Sequence, residues 1–577
     1  MRGLKQAQET LGQIKLAVAL RRSIAAGYKS QTFMADLMAG IIVGMIAIPL
    51  GMSLAISTGL PPQFGLYTII VAGALTAFLG GSNCQVTGPT AAFIVVLVPI
   101  VQQYGLAGLL TAGLMAGFIL IAMGMLRMGK LIEFIPHPVI TGFTSGIALV
   151  IFAIQLKDFF GISFTAQPAH FHERVSLLFQ NAHTFSLKET FVATVTLIGL
   201  IYLPKVSRKI PAPLIVLPFM TIATFVMAQI DPDLAVATIK SRFSFLVDGE
   251  SVFGIPSGLP EFNLPWEWSA QGLGQGLTIS FATIKELIGP AFTIAFLAAI
   301  ESLLAAMVAD SMANTKHDPD AELTALGIAS VVGPFFGGIP ATGALARTAT
   351  NIKFGARSPI AAITHALFVL MALLFAAPII SLMPMASLSA LLIIVAYNMS
   401  ELHRFKMIIR VASRGDILVL LTCFSLTVVF DMVIGVGVGM VLASFVLVKR
   451  MTQVTKGYEI EVASQSELSK IFSEYVLYEI TGLLFFAASD NVVDLIHDKV
   501  VGKRGVVFLM DKVSAIDVSA VISLEGAMKK LIAEGKEVLI VGVGGKVRNI
   551  LSRSELLKGN KVRIFSGISE ASSHLRR

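Results

Sequence analysis

The sequence predicts an α-helical membrane protein of fourteen membrane segments, followed by a small α/β domain in water. Of the 577 residues, 55% are hydrophobic and only 14% are charged, which excludes an ordinary soluble globular chain. Apolar runs long enough to cross a bilayer recur from about residue 33 to residue 448. We therefore predict a cytoplasmic N-terminal segment (1–32), a transmembrane domain (33–450) and a soluble C-terminal domain (458–577).

The membrane segments divide into two sets of seven. In the first half (about 33–230) they begin near Phe33, Phe64, Pro89, Leu106, Pro138, Glu189 and Pro213. In the second half (about 286–450) they begin near Glu286, Leu323, Thr342, Pro359, Ala386, Asp416 and Met432. Because seven is an odd number, the second set must run in the opposite direction through the membrane. The sequence thus predicts a 7+7 inverted repeat.

The charges of the loops support this count. If the N-terminus is cytoplasmic, the loops after even-numbered segments should be rich in Lys and Arg. Such residues follow segments four, six, eight, ten, twelve and fourteen: Arg127 and Lys130; Lys205, Arg208 and Lys209; Lys316; Lys353 and Arg357; Arg404, Lys406, Arg410 and Arg414; Lys449, Arg450 and Lys456. We predict a multi-pass protein of an inner (plasma) membrane with both termini cytoplasmic, without a removable signal peptide. Membrane orientation, rather than nucleic acid, then accounts for the net charge of +8.

Two glycine-rich stretches, residues 80–92 and 337–347, interrupt the third segment of each half. Each contains a Gly pair and then Thr-Gly, and resumes as a short helical run. Such matching interruptions predict two broken helices, whose free N–H groups and positive dipole ends face one another. We therefore predict a mid-membrane anion site formed by Thr87, Gly88, Pro89, Thr90, Thr342, Gly343 and Ala344. The alternative is that these glycines only allow close helix packing.

Two charged residues lie within membrane segments. Glu301 is in segment eight, where a carboxylate costs about 2.5–3.5 kcal/mol unless it is compensated. It is predicted to carry a coupled proton or sodium ion; the alternative is a structural carboxylate that binds a neighbouring backbone. Arg347, one and a half turns into segment ten, is predicted to fold back and add its positive charge to the helix ends. Its alternatives are to pair with Glu301 or to extend to the cytoplasmic surface.

The C-terminal domain alternates between strands and helices. Residues 476–480, 506–510 and 538–541 have the pattern of strands, and helices are predicted from Asn491, Ser519 and Val547. Ser519 is a candidate helix cap or a regulatory phosphate acceptor, and its residue type favours the cap. No phosphate-binding loop, nucleophile motif or metal spacing is found in the sequence, so we predict no enzyme, no catalytic residue, no metal and no cofactor.

Several motifs resemble those of the SulP family of anion transporters, along nearly the whole chain. They are Pro61–Tyr67 in segment two, Gln85–Ala92 in segment three and Gly343–Asn351 in segment ten; the C-terminal domain resembles a STAS domain. The resemblance implies a UraA-like core domain (segments 1–4 and 8–11) that carries the site and a gate domain that supports its elevator-like movement. It also implies a homodimer and a coupled cation near Glu301.

Within this family, Glu301–Leu304, Thr315–His317 and Asn398–Glu401 are most similar to the bacterial C4-dicarboxylate subgroup. Leu50 and Leu54 depart from the polar and aromatic residues of many relatives, and Ala520 replaces the Gly that follows the phosphate-acceptor position. We expect a secondary active transporter of a C4-dicarboxylate, or else of sulfate or bicarbonate, coupled to H⁺ or Na⁺. A passive anion channel, and a sensor whose STAS domain recruits a cytosolic partner, are the alternatives.

Overall fold

A computed structural model of the chain describes residues 16–130, 135–164, 168, 171–206, 210–247, 250–269, 276–430, 432–460, 472–485, 499–553 and 562–576. Arg208, Lys209 and the helix predicted from Asn491 lie outside these ranges. The chain forms two compact units, residues 1–440 and 441–577. The division falls inside a long helix, about ten residues before the predicted end of the transmembrane domain.

The first half of the membrane unit consists of helices and one two-residue strand. These elements are α1 (Val18–Ala25), α2 (Ser30–Ser57), α3 (Pro62–Leu79), β1 (Thr87–Gly88), α4 (Ala91–Met125), α5 (His137–Phe160), α6 (Phe171–Gln180), α7 (Leu187–Val206) and α8 (Ala212–Ile230). Inside α4 the backbone leaves the helical conformation at Gly105, where φ is +67°. This break lies at the predicted boundary between segments three and four.

The second half begins with a short helix and a β-hairpin. Its elements are α9 (Ile239–Arg242), β2 (Ser244–Val247), β3 (Glu250–Phe253), α10 (Phe281–Ala313), α11 (Pro319–Val332), β4 (Thr342–Gly343), α12 (Leu345–Lys353), α13 (Ile360–Ile380), α14 (Met385–Met399), α15 (Leu402–Val411), α16 (Arg414–Val429) and α17 (Met432–Val454). Each predicted segment of this half corresponds to one of these helices.

Ten helical stretches among the described residues are long and apolar enough to cross a membrane, and one of them, Met385–Val411, comprises α14 and α15 together. By contrast, α11 and α12 have 14 and 9 residues, whereas a spanning helix needs about 20. Short helices at membrane depth are tolerated where other protein segments satisfy the free backbone groups. The predicted class, a helical membrane protein with a C-terminal sheet domain, is confirmed.

Glycine contacts bring the membrane helices close together. A Cβ atom added to Gly65 of α3 would lie 2.0 Å from the carbonyl oxygen of Gly51 in α2. Between α4 and α11, an added Cβ on either Gly117 or Gly327 would lie 2.8 Å from the other glycine's carbonyl oxygen. At these helix crossings the backbones touch, as small-residue membrane interfaces allow. Close packing is therefore the role of these glycines, which lie outside the two glycine-rich stretches.

The second unit contains a five-stranded sheet in the order β5-β6-β7-β8-β9. Its strands are β5 (Lys456–Glu459), β6 (Tyr475–Leu484), β7 (Gly505–Ile516), β8 (Glu537–Val541) and β9 (Val562–Phe565), and its helices are α18 (Val518–Ala533), α19 (Gly545–Leu551) and α20 (Ile568–Leu575). Only β5 runs antiparallel to its neighbour. The three predicted strands lie within β6, β7 and β8, whereas β5 and β9 were not predicted.

The cap of helix α18 differs from the prediction. Asp517, not Ser519, is the N-cap residue, and its carboxylate accepts a hydrogen bond of 2.7 Å from the backbone N–H of Ala520. Asp517 has the extended backbone conformation that a cap requires, whereas Ser519 already lies inside the first turn. The assignment of Ser519 as the cap was wrong. Its side chain is exposed, and its role as a phosphate acceptor stays a prediction.

Candidate functional site

The two Thr-Gly stretches lie side by side in the membrane unit. They form an antiparallel ladder in which Thr87 is opposite Gly343 and Gly88 is opposite Thr342. Each threonine thus faces the glycine of the other half, the arrangement that a local two-fold axis between inverted repeats produces. Both threonines are buried.

A helix begins directly after each of these strands. Thr90 is the N-cap residue of α4 and Ala344 that of α12, and neither helix start is capped by a side-chain hydrogen bond. The backbone N–H groups of a first helical turn have no partner within their own helix. Because β1 and β4 are paired, these two sets of donors lie close together. The first two residues of α12, Leu345 and Ala346, have exposed side chains, so the first turn of this helix borders open space.

Arg347, a residue of the second half, places its positive charge against residues of the first half. Its side chain is buried, and Nη2 donates a hydrogen bond to the carbonyl oxygen of Pro89. A Cβ atom on Gly88 would lie 2.5 Å from Nη1, so the guanidinium lies directly against this glycine. Nη1 has no hydrogen-bond partner among the described residues. The guanidinium thus folds back to the helix starts and does not extend to the membrane surface.

Glu301 of α10 contacts the start of α4. The Thr90 hydroxyl donates to Glu301 Oε2 over 2.8 Å, and within the described ranges this carboxylate has no ion pair with Arg347. One residue further, Ser302 Oγ accepts a 2.7 Å hydrogen bond from Gln85 Nε2, whose Oε1 atom is buried without a partner in the described structure. One turn earlier in α10, the carbonyl of Ala298 accepts a 3.3 Å hydrogen bond from Thr342 Oγ1 of β4. Helix α10 therefore contacts β4 and the residues on either side of β1.

Two residues of α12 fix the chain that leads into β1. Thr348 Oγ1 accepts from the Val86 N–H over 3.0 Å, and Asn351 Nδ2 donates to the Cys84 carbonyl over 2.9 Å. Both side chains are fully buried. They hold the backbone of the first stretch and do not border the open space.

The glycine turns before both strands are held by residues that the sequence did not single out. Glu322 of α11 is buried, and its Oε2 accepts from the N–H groups of Gly81 and Ser82 at 2.9 and 3.1 Å. In the other half, Thr68 Oγ1 of α3 accepts from the Ile339 N–H at 2.8 Å. Helices α3 and α11 are the second segments of their halves, so each turn is held by the opposite repeat. Glu322 directly precedes Leu323, the predicted start of segment nine, so the sequence analysis did not place it within a membrane segment.

Replacing Glu322 with Ala is expected to destabilise the core by about 2–6 kcal/mol, since two buried N–H groups lose their acceptor. Thermal unfolding of the detergent-purified protein measures this. Thr68→Val, which removes one acceptor from the other turn at constant volume, is the matched comparison and should have a smaller effect. Glu322→Gln, which keeps an acceptor oxygen, should lie between Glu322→Ala and the wild type. An unfolding midpoint for Glu322→Ala equal to that of the wild type would contradict the assigned role.

Family comparisons cover nearly the whole chain. The Sulfate permease family model matches residues 33–423, and the STAS domain model matches residues 468–571. The chain is 39% identical over 532 residues to the "Putative sulfate transporter YvdB" of Bacillus subtilis, covering 92% of this chain and 95% of that protein. It is 25% identical to the "Bicarbonate transporter BicA" of Picosynechococcus, covering 91% of both chains.

Two solved structures are similar to the protein. Murine Slc26a9, an anion transporter in an inward-facing state, superposes with a TM-score of 0.81 at 19% identity, covering 97% of this chain and 94% of that one. The transmembrane domain of a cyanobacterial bicarbonate transporter, BicA, superposes with a TM-score of 0.58 at 26% identity, covering 72% of this chain and 98% of that one. The first likeness concerns the fold alone.

Proposed function

The chain belongs to the Sulfate permease family, and we propose that it is a secondary active transporter that carries sulfate together with a coupled cation. As a member of this family it is a multi-pass membrane transporter and not an enzyme. The observation that carries the proposal is the β1–β4 ladder, which joins two uncapped helix starts beside a buried arginine.

We assign the anion to the space between the two helix starts. It would contact the backbone of Thr87, Gly88, Pro89, Thr90, Thr342, Gly343 and Ala344, together with Arg347. Each helix start contributes about half a positive charge, and the guanidinium adds a full one. Arg347 Nη1 has no hydrogen-bond partner among the described residues and is a donor for one oxygen of the anion.

Glu301 is the proposed coupling residue. Its carboxylate is linked by one hydrogen bond to Thr90, the residue from which α4 begins. A cation on this carboxylate neutralises a negative charge close to the anion, so each ion strengthens the binding of the other. Binding of a proton needs only the carboxylate. A sodium ion needs further oxygen ligands, and Gln85 Oε1, which has no hydrogen-bond partner among the described residues, is a candidate.

Sulfate is chosen among oxyanions because the relative that is 39% identical is named a putative sulfate transporter. Bicarbonate is the second candidate, since the 25% identical relative is named a bicarbonate transporter. The motifs that favoured a C4-dicarboxylate still support succinate as a competitor to be tested. None of the relatives named above is described as a dicarboxylate carrier.

The test is uptake of labelled sulfate into proteoliposomes under an imposed Na⁺ gradient, an imposed H⁺ gradient, or neither. We expect accumulation above the external concentration under one gradient, and displacement by unlabelled sulfate at lower concentrations than by bicarbonate or succinate. Fast equilibration that no gradient drives uphill would favour a passive anion channel. No uptake of any of the three anions would refute the proposal.

The assembly and surroundings of the transporter are also proposals. A homodimer, an inner-membrane location with both termini cytoplasmic, and a cytosolic protein partner at the STAS domain follow from the loop charges and the family resemblance. Mass measurement of the detergent-purified protein tests the dimer, and accessibility of single cysteines placed at the termini tests the orientation.

A further inference from the structure

The helical backbone is interrupted between α15 and α14, the membrane helix that precedes it. Ser145 Oγ donates a 2.6 Å hydrogen bond to the Ser400 carbonyl at the end of α14. The next residue, Glu401, adopts the left-handed conformation with φ of +43°. With ten residues, α15 is only about 15 Å long and cannot cross a bilayer. It lies in the chain between α14 and α16.

One side of α15 is fixed to the protein. Phe405 packs edge-to-face against Phe424 of α16, with ring centroids 5.6 Å apart. Phe405, Ile408 and Ala412 are half-buried, and their spacing places them on one helix face. Helix α15 also contacts α5. Both neighbours, α5 and α16, correspond to predicted segments of the gate domain.

The opposite side of α15 is a basic stripe. It consists of His403, Lys406 and Arg410, all exposed and spaced by three or four residues. The side chains of Lys406 and Arg410 make no hydrogen bond or ion pair with any residue that the structure describes. Arg404, by contrast, lies outside this stripe and is paired with Glu401 over 3.0 Å.

Exposed apolar side chains border the basic stripe on both sides. Leu402 and Ile409 lie on one side, and Met407 and Val411 on the other; Val411 is 77% exposed. Water alone is a poor environment for such flanks, and a soluble anion leaves them uncovered. A basic stripe between apolar flanks is typical of a helix lying in the membrane–water interface, with its cations at headgroup level.

We propose that α15 lies in this interface and binds the headgroups of anionic phospholipids, with Lys406 and Arg410 as the phosphate ligands. The positive-inside prediction places it at the cytoplasmic leaflet, where anionic lipids attract basic segments. Since α15 is packed on α5 and α16, a bound headgroup holds the gate domain at a fixed depth in the membrane. This leaves the core domain as the part that moves.

The test uses the full-length protein in neutral detergent, titrated with phosphatidylglycerol or phosphatidylcholine, with the thermal unfolding midpoint as readout. A ligand that binds the folded state raises this midpoint in a concentration-dependent way. We expect phosphatidylglycerol to raise it more than phosphatidylcholine does. K406Q/R410Q should need about 25-fold more phosphatidylglycerol for the same shift, at roughly fivefold in affinity per charge. Transport is not measured, so the outcome is independent of the proposed function.

The matched control is R127Q/K130Q, which removes the same charge from two exposed residues at the end of α4. It should respond as the wild type does, and Arg410→Lys should keep most of the response. Inorganic phosphate in place of lipid should shift the wild type and K406Q/R410Q equally, because any binding at the helix starts is common to both proteins. The proposal is overturned if both lipids act equally, if K406Q/R410Q responds to phosphatidylglycerol as the wild type does, if the control loses as much, or if inorganic phosphate gives a shift that K406Q/R410Q abolishes.

Discussion

Replacing Arg347 with Gln is expected to abolish measurable sulfate uptake. The guanidinium is buried against Gly88 and bound to the Pro89 carbonyl, so its charge acts at short range on an anion between the helix starts. The guanidinium and the bound anion form a buried charge pair in the proposed complex. Removing one member of such a pair costs about 2–5 kcal/mol, or roughly 30-fold to several thousand-fold in affinity. The concentration dependence of uptake in proteoliposomes, with protein incorporation quantified, measures the loss.

Two variants distinguish direct binding of the anion by Arg347 from the long-range effect of any positive charge nearby. Lys353→Gln removes the same charge from the exposed end of the same helix and should change the apparent affinity less than about twofold, as a screened surface charge does. Arg347→Lys keeps the charge but not the planar fork that reaches Pro89 and Gly88 together, so it should be intermediate. Equal losses for Lys353→Gln and Arg347→Gln would show that the anion does not bind at the helix starts.

The location of the broken helices was readable from the sequence because a bilayer tolerates few interruptions. Long apolar runs define the segments, and a Gly pair followed by Thr-Gly in both halves indicates where the helices stop. The break at Gly105 was likewise visible as a boundary between two apolar runs. These signals are local, and the helix starts and the break in the structure lie at nearly the residues that the sequence predicts.

The contacts that hold the site were not readable in the same way. Glu322 binds a turn some 240 residues earlier in the chain, and Thr68 binds one some 271 residues later. Their partners are backbone N–H groups, which have no sequence signature. The symmetry is also imperfect: a carboxylate holds one turn and a hydroxyl the other. Hence a prediction that used the repeat could locate the turns but not the side chains that stabilise them.

The cap of α18 was missed for a local reason. Asp517 and Ser519 are both good cap residues, and residue type does not distinguish between them. The choice depends on which residue has the extended conformation at the helix start, and that is fixed by where β7 ends, at Ile516. Short-range chemistry was ambiguous here, and the register of the sheet decided it.

Glu301→Gln is expected to abolish concentrative uptake while anion exchange continues. Glutamine has nearly the volume of glutamate and keeps an oxygen that accepts from Thr90, so the start of α4 stays in place. It binds neither a proton nor a sodium ion with useful affinity. Without differential cation binding a gradient cannot bias transport, and the internal-to-external sulfate ratio should fall to about 1. Labelled sulfate should still exchange against unlabelled sulfate across the same membranes.

The two readouts distinguish coupling from a structural role. If the Glu301 carboxylate served only to hold Thr90, Glu301→Gln would keep the acceptor oxygen, and both exchange and gradient-driven accumulation would stay close to those of the wild type. Thr90→Val provides that comparison, because it removes the hydroxyl donor but leaves the carboxylate. It should slow both processes and still allow gradient-driven accumulation, whereas Glu301→Gln should separate them. Undiminished accumulation in Glu301→Gln would show that the coupled cation does not bind at Glu301 and that this carboxylate has a structural role.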